Sequence, residues 1–133
     1  MTCHNFEFKE LPKHFRVEEK ALKKMGIINW EKLIELKDIE ITKLANTEKC
    51  SMVNLKKLRG IAKLICQLSI PMEKAALLIY AGIPTSTALA KYSPQEVISR
   101  TNRFERTLST GRDPLLNLKE ASRLISIART RQI

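Results

Sequence analysis

The chain has 133 residues, which is room for one domain or for two very small ones, and folding at this size buries about two-thirds of the unfolded surface. Aromatic residues make up only 5% of the chain and glycine and proline are sparse, which argues against a β-sandwich and favours helices. The formal net charge of +10 favours an anionic partner, such as nucleic acid, an acidic protein or an anionic membrane surface, unless it serves solubility alone.

The cysteines and the hydropathy pattern bear on the cellular compartment. Cys3, Cys50 and Cys66 form neither a CxxC pair nor an even disulfide framework, and no secretory signal peptide is evident. We therefore predict a reducing, cytoplasmic location, with Cys66 as a buried, reduced thiol in an apolar helix. No stretch approaches the roughly 18 apolar residues of a membrane span, so none is predicted.

An internal repeat is the most informative feature of the sequence. Residues 1–16 are predicted to form an N-terminal arm, which carries both histidines, His4 and His14, and whose role the sequence does not reveal. Helical repeat 1 covers residues 17–70 and helical repeat 2 covers residues 71–133, and we expect the two to pack as one compact all-α domain. Gly26-Ile27 aligns with Gly82-Ile83, and NLKKLRGIAKLIC from Asn54 aligns with NLKEASRLISIAR from Asn117.

Each repeat is predicted to contain four helical pieces, which capping residues delimit. The first piece ends at a glycine, Gly26 or Gly82, where a left-handed C-cap is favourable. The second begins near Asn29 in repeat 1 and near Thr85 or Ser86 in repeat 2. The third begins at Asp38 in repeat 1, and in repeat 2 with Ser93-Pro94-Gln95-Glu96, which has the pattern of a capping box. The fourth begins near Ser51, and after Gly111 and Pro114 in repeat 2.

The turn after each of these glycines resembles the helix-hairpin-helix motif, which reads glycine, hydrophobic, glycine, three residues, alanine. Gly82, Ile83 and Ala88 match this pattern, and Pro84 replaces the second glycine. Repeat 1 matches at Gly26 and Ile27, whereas Ile28 and Lys32 replace the second glycine and the alanine. Two such units from Val17 to Arg131 are similar to the family known as domain of unknown function 4332, which is widespread in cyanobacteria. That resemblance implies a tandem helix-hairpin-helix fold and no particular activity.

In helix-hairpin-helix proteins the turn directs backbone N–H groups at a DNA phosphate, because helix N-termini carry unpaired donors. Carried over, the resemblance implies contacts at the turns Gly26–Asn29 and Gly82–Thr85, with hydroxyl donors from Thr85, Ser86 and Thr87. The alternative is a purely structural turn, because Pro84 lacks an N–H and a side chain at Ile28 or Pro84 hinders close approach.

Basic side chains supply a second candidate surface. On a helix from Pro94, the residues Val97, Thr101, Phe104 and Leu108 are predicted to share one face, while Arg100, Arg103 and Arg106 lie opposite and can follow phosphates. The other cations that we predict to contact nucleic acid are Arg112, Lys119, Arg123, Lys56, Arg59 and Lys63. The alternative is that these cations form only a solvated basic face.

Catalysis finds little support in the sequence. No nucleophile has an obvious base, no phosphate-binding loop follows a strand, and Cys3, His4 and His14 fit no standard metal site. We therefore expect no enzyme, cofactor, metal or small-molecule substrate. The leading prediction is a nucleic-acid-binding module that contacts the phosphates of duplex DNA or structured RNA with weak sequence preference. The rival is an adaptor that docks an acidic protein on the basic helical face, with Trp30 or Tyr80 as an exposed apolar anchor.

Overall fold

A computed structural model describes residues 15–108, 111 and 113–130, and every regular element in that part of the chain is an α-helix. The all-α prediction is therefore confirmed. The helices are α1 (Arg16–Lys24), α2 (Trp30–Ile34), α3 (Asp38–Glu48), α4 (Met52–Leu68), α5 (Met72–Tyr80), α6 (Ser86–Leu89), α7 (Pro94–Leu108) and α8 (Leu118–Thr130). The chain divides into two compact units, of which the first ends at Cys66 and the second begins at Gln67, close to the predicted boundary before Pro71. The predicted arm lies outside the described residues except for Phe15, which is fully buried, and Arg16, which begins α1.

A glycine turn joins α1 to α2 in the first unit. Gly26 has φ +80°, so the prediction of a left-handed C-cap is confirmed. The Ile27 N–H donates to the Leu22 carbonyl at 3.0 Å, which closes the end of α1. Asn29 then begins the next helix, since its side chain accepts a hydrogen bond from the Lys32 N–H at 2.8 Å.

The same local geometry recurs 56 residues later, between α5 and α6. Gly82 has φ +90°, and the Ile83 N–H donates to the Leu78 carbonyl at 2.8 Å. Thr85 caps α6 by accepting from the Ala88 N–H at 3.0 Å. The capping side chains predicted for both turns are therefore confirmed.

The third helices of the two units, α3 and α7, also begin 56 residues apart. Ser93 and Glu96 form the predicted capping box: the Ser93 N–H donates to Glu96 Oε1 at 3.0 Å and the Glu96 N–H donates to Ser93 Oγ at 3.2 Å. In the first unit the Lys37 N–H donates to Glu40 Oε1 at 2.9 Å, which is one half of such a box. α7 has 15 residues and α3 has 11, so the third helix is longer in the second unit.

The predicted alignment of the fourth helices was wrong by three residues. Ser51 precedes α4 and its Oγ accepts from the Asn54 N–H at 3.1 Å, so Asn54 lies inside the helix. Asn117, by contrast, is itself the capping residue of α8 and accepts from the Glu120 N–H at 2.8 Å. Capping chemistry therefore pairs Asn117 with Ser51. The shared letters Asn-Leu-Lys misled the alignment because a shift of three residues keeps nearly the same helix face.

One contact ties the first helix of each unit to the start of its fourth helix. Glu18, only 3% exposed, accepts hydrogen bonds from the Ser51 N–H at 3.0 Å and from Asn54 Nδ2 at 3.1 Å. In the second unit Lys74 holds the position of Glu18 and forms an ion pair with Glu120, which holds the position of Asn54 when helices are aligned by their caps. The two units thus make the same connection with opposite charges on their first helices.

A second contact, between the first and third helices, involves equivalent positions in the two units. Lys24 Nζ lies 3.3 Å from Glu48 Oε1 in the first unit. The residues 56 positions later are Tyr80 and Phe104, whose rings stack with centroids 5.6 Å apart. A salt bridge in one unit is therefore replaced by an aromatic pair in the other.

The core of the described residues consists largely of aliphatic side chains. Leu22, Leu33, Leu78 and Leu89 are fully buried, and so is one apolar face of α4, with every member at most 1% exposed: Leu55, Leu58, Ile61, Ala62, Leu64, Ile65 and Leu68. The predicted apolar face of α7 is right for Val97 and Thr101 and wrong for Leu108, which is 54% exposed because α7 ends there. The shared core between the repeats stays a prediction.

The cysteine prediction needs a correction. Cys66 is buried, as expected, but it is disulfide-bonded, so the predicted reduced thiol is wrong. Sequence spacing does not reveal which sulfurs meet in a fold, and a buried position suits a thiol and a disulfide alike. Cys50 is free; burial, and next the charges of Glu18 and Glu48, raise the pKa of its thiol. Within the described residues, no helix has the length and apolar character that crossing a membrane requires.

Candidate nucleic-acid interface

The first two backbone amides of each glycine turn are already used inside the turn. The Gly26 N–H donates to the Lys23 carbonyl at 2.9 Å, and the Gly82 N–H donates to the Ile79 carbonyl at 3.1 Å. The N–H groups of Ile27 and Ile83 close the preceding helices in the same way. Pro84 has no N–H to add. The glycine and isoleucine amides of these turns are therefore not available to a phosphate in the way that the helix-hairpin-helix resemblance implies.

Side chains at the turns divide between core and surface. Ile27 is 7% exposed and Ile83 is fully buried, so both belong to the core and not to a binding surface. Thr85 and Thr87 are exposed and Ser86 is partly exposed. Because the Thr85 hydroxyl oxygen accepts from the Ala88 N–H, its proton remains available to an outside acceptor.

Arg100 on α7 lies at the second turn. Its Nη1 is 3.4 Å from the position that a Cβ on Gly82 would occupy, so the guanidinium lies directly over the glycine. The guanidinium carbon also lies 4.8 Å from the centroid of the Tyr92 ring, which is within the range of a cation–π contact. The structure thus brings together two residues that the sequence named separately, Gly82 and Arg100.

The other two predicted arginines of α7, Arg103 and Arg106, are exposed. Arg103 follows Arg100 by one helical turn, so the two side chains project from neighbouring points of one face. α7 packs against both α5 and α8, which leaves this face toward solvent. Arg112 lies outside the described residues.

Arg59 has a structural role that the sequence analysis did not predict. Its Nη1 donates to the Leu36 carbonyl at 2.8 Å, at the end of α2, and its Nη2 lies 2.6 Å from Asp38 Oδ1. The side chain is only 16% exposed. Its hydrogen bond and charge hold the pKa of the Asp38 carboxyl below its usual value. Both terminal nitrogens of the guanidinium therefore have partners within the first unit, which gives Arg59 a structural role; its predicted contact with phosphate stays a prediction.

The remaining predicted cations are exposed, and no contact that we describe connects them to the Gly82 turn. Lys56 and Lys63 lie on α4, and both contribute to the low pKa of Asp38. Lys119 and Arg123 lie on α8, where Arg123 Nη2 is 3.7 Å from Glu120 Oε1. These residues add to the basic field of the surface and not to the geometry at Gly82.

Two contacts on this surface were not predicted from the sequence. Tyr92 was not among the predicted site residues, because nothing in the sequence places its ring beside Arg100. Arg129 donates from Nε to the Ala90 carbonyl at 2.9 Å and so fixes the end of α6. Over the described residues, no group of three or more His, Cys, Asp or Glu side chains is arranged to hold a metal ion.

Comparison with known families gives one match, over residues 12–131, to the family described as Domain of unknown function (DUF4332). Neither the curated proteins nor the solved structures yield a match.

Proposed function

The chain belongs to the family described as Domain of unknown function (DUF4332), and we propose that it is a non-catalytic nucleic-acid-binding module. In this proposal its two units are copies of a helix-hairpin-helix-like element, and the second copy binds the phosphates of duplex DNA or structured RNA with weak sequence preference. The observation that carries the proposal is the position of Arg100 over Gly82.

Arg100 matters because it joins the turn to the arginines of α7. The exposed hydroxyl side chains Thr85 and Thr87 follow the turn, and Arg103 follows Arg100 along the helix. Arginine presents a planar fork that can bind two phosphate oxygens, and hydroxyl donors add contacts without reading bases. One face of the second unit therefore offers donors of the kind that follow a sugar-phosphate backbone.

The global properties of the chain agree with this assignment. The net charge of +10 attracts a polyanion over a long range. Aromatic residues are few, Trp30 is 3% exposed, and Tyr80 is stacked on Phe104, so stacking with single-stranded bases has little support. A structured duplex is the better partner because it presents phosphates at regular intervals.

A salt titration of binding tests the proposal. Arg100, Arg103 and Arg106 are changed together to Ala, and affinity for two unrelated duplexes is measured over a range of salt concentrations. We expect weaker binding to both duplexes and a salt slope that is flatter by up to about 3, because each lost phosphate contact releases about one counterion fewer. A structured RNA hairpin is titrated in parallel.

The matched control removes three exposed lysines of the first unit, Lys20, Lys32 and Lys43, and so lowers the net charge by the same amount. If the location of the charge matters, the control keeps most of the wild-type slope. Equal slopes for the two triple variants would mean that binding follows net charge alone. Failure of the wild-type protein to bind any duplex or structured RNA at low salt would refute the proposal.

One observation favours the adaptor as a second candidate. The large apolar side chains that the structure exposes in the described residues lie mainly in the first unit: Val17, Met25, Ile28, Ile39, Met52 and Val53, against Leu108 and Leu118 in the second. Val17 borders an open groove of about 510 Å³ whose other lining residues are Arg16, Lys20, Ala21, Lys24 and Glu48. Trp30 is buried and cannot anchor a partner. Nuclease-resistant capture of an acidic protein that Val17→Asp abolishes would support this candidate.

The cytoplasmic location predicted from the sequence stays a prediction, which the redox state of Cys66 can test. The disulfide at Cys66 removes the argument from reduced cysteines, since such bonds are rare in reducing compartments. Alkylation of free thiols in intact cells, followed by mass spectrometry of Cys66, would show which redox state the protein has in its own compartment.

A further inference from the structure

The two units differ at one pair of equivalent positions beside their glycine turns. In the second unit these positions hold Tyr92 and Arg100, and 56 residues earlier they hold Leu36 and Leu44. The two leucines are buried, at 8% and 4% exposure. Arg100 is exposed and lies over the Tyr92 ring. The same two positions thus serve the core in one unit and form a cation–π pair at the surface in the other.

The surroundings of the two glycines differ accordingly. A Cβ built on Gly26 meets nothing within 4 Å, whereas one built on Gly82 meets Arg100 Nη1 at 3.4 Å. The glycines have the same left-handed backbone, so the backbone alone does not distinguish the turns. The difference comes from the side chain at the position of Leu44 and Arg100.

The Tyr92 ring limits the conformations that the Arg100 side chain can adopt. An exposed arginine on a helix samples many rotamers, and ordering it on a ligand costs free energy. The guanidinium carbon lies 4.8 Å from the centroid of the Tyr92 ring, and Nη1 lies 3.4 Å from the position of a Cβ on Gly82, so the ring and the turn both limit the positions of the guanidinium. A guanidinium that stacks through its flat face keeps its N–H groups in the plane of the fork, where they can donate.

We infer that Tyr92 is a positioning residue that holds Arg100 over the Gly82 turn as a preformed phosphate-binding fork, and that only the second unit has this device. The first unit has the buried Leu36 and Leu44 at the equivalent positions and keeps the turn as a structural element. This inference rests on the proposed function, since it assigns the proposed phosphate contact to Arg100 and the positioning of Arg100 to Tyr92. It predicts that the geometry of Arg100, beyond its charge, contributes to affinity.

Four variants that leave the net charge unchanged provide the test. Arg100→Lys and Arg103→Lys replace a fork by a point charge at neighbouring positions of α7. Tyr92→Leu removes the ring, using the residue found at the equivalent position of the first unit, and Tyr92→Phe keeps it. Affinity for a 15-base-pair duplex (about one and a half turns of B-DNA) is measured at fixed salt, and each variant's fold is checked by circular dichroism.

We expect Arg100→Lys to weaken binding about fivefold or more and Arg103→Lys to change it less than about twofold, because only Arg100 is held by a ring. Tyr92→Leu should weaken binding to a similar extent, and Tyr92→Phe should restore it, which a loss of general stability would not explain. In the Tyr92→Leu background, Arg100→Lys should cost little more.

Two failures are distinguishable. If the wild-type protein binds no duplex, the proposed function fails and this inference fails with it. If the wild-type protein binds, but Arg100→Lys and Arg103→Lys weaken binding equally or Tyr92→Phe weakens it as much as Tyr92→Leu does, this inference alone is overturned. The arginines would then act as interchangeable charges.

Discussion

Transplanting one interhelical contact from the second unit into the first tests whether their helices are equivalent. Glu18 is 3% exposed and accepts two hydrogen bonds, from the Ser51 N–H and from Asn54 Nδ2. The corresponding pair in the second unit is Lys74 with Glu120. The double variant Glu18→Lys/Asn54→Glu therefore places the second unit's ion pair in the first unit. Asn54→Glu alone places a second carboxylate beside Glu18, and Glu18→Lys alone places an ammonium group beside the neutral Asn54.

The magnitudes follow from the hydrogen bonds involved. A hydrogen bond to a charged group contributes about 1.5 to 3 kcal/mol, so Glu18→Lys, which loses two, should cost at least about 3 kcal/mol. Asn54→Glu alone faces a second carboxylate with Glu18 and should cost about 1 to 2 kcal/mol. If the positions are equivalent, the new ion pair recovers about 2 kcal/mol, and the double variant is more stable than Glu18→Lys alone.

Urea and thermal unfolding followed by far-ultraviolet circular dichroism at pH 7 give the four free energies of the cycle. A recovery of about 2 kcal/mol corresponds to a melting temperature roughly 6 to 10 °C above that of Glu18→Lys. A double variant that is no more stable than Glu18→Lys, or whose cost equals the sum of the single costs, would show that the two pairs are not interchangeable. The alignment of the two units by their caps would then be wrong.

Three further predictions concern stability. Lys49 has φ +53° at the end of α3, a conformation that glycine adopts without strain. Lys49→Gly should therefore raise the free energy of unfolding by about 1 kcal/mol, measured by urea unfolding. Lys49→Ala, which removes the charge but keeps the strain, should not raise it. The capping hydrogen bond from the Ser93 N–H lowers the pKa of Glu96 below its usual 4.5, so its stabilisation is present above that pH and is lost as the pH falls through the lowered pKa. Glu96→Gln should therefore lower the melting temperature at pH 7 and leave it unchanged in acid, and a pH-independent difference would count against the capping box. Arg59→Lys should cost about 1 to 2 kcal/mol in chemical unfolding, because one ammonium cannot replace both ends of the fork, and a neutral result would remove its structural role.

Local chemistry made much of the fold predictable. Asn29, Thr85 and the Ser93–Glu96 box act on groups three residues away, and the positive φ at Gly26 and Gly82 follows from the missing Cβ. Such signals need no knowledge of the rest of the chain. The burial of aliphatic residues followed in the same way from helical periodicity.

Contacts between residues distant in the sequence were not predictable in this way. Glu18 meets Asn54 across 36 residues, and Arg59 reaches the Leu36 carbonyl across 23. Both positions read as ordinary surface charges until the helices are packed. The structural role of Arg59 was missed for this reason, and the position of the Arg100 guanidinium between Tyr92 and Gly82 became evident only from the packed structure.

The proposed interface with duplex phosphates is the face of the second unit formed by the Gly82 turn and α7. A nuclear magnetic resonance titration of the ¹⁵N-labelled protein with a short duplex at low salt tests it most directly, because it reports each backbone amide and each arginine Nε–H group. We expect the largest chemical-shift changes at the Nε–H groups of Arg100 and Arg103 and at the amides of Thr85–Thr87, and small changes at the amides of Gly26–Asn29. Shifts confined to the first unit, or none at saturating duplex, would contradict this proposal.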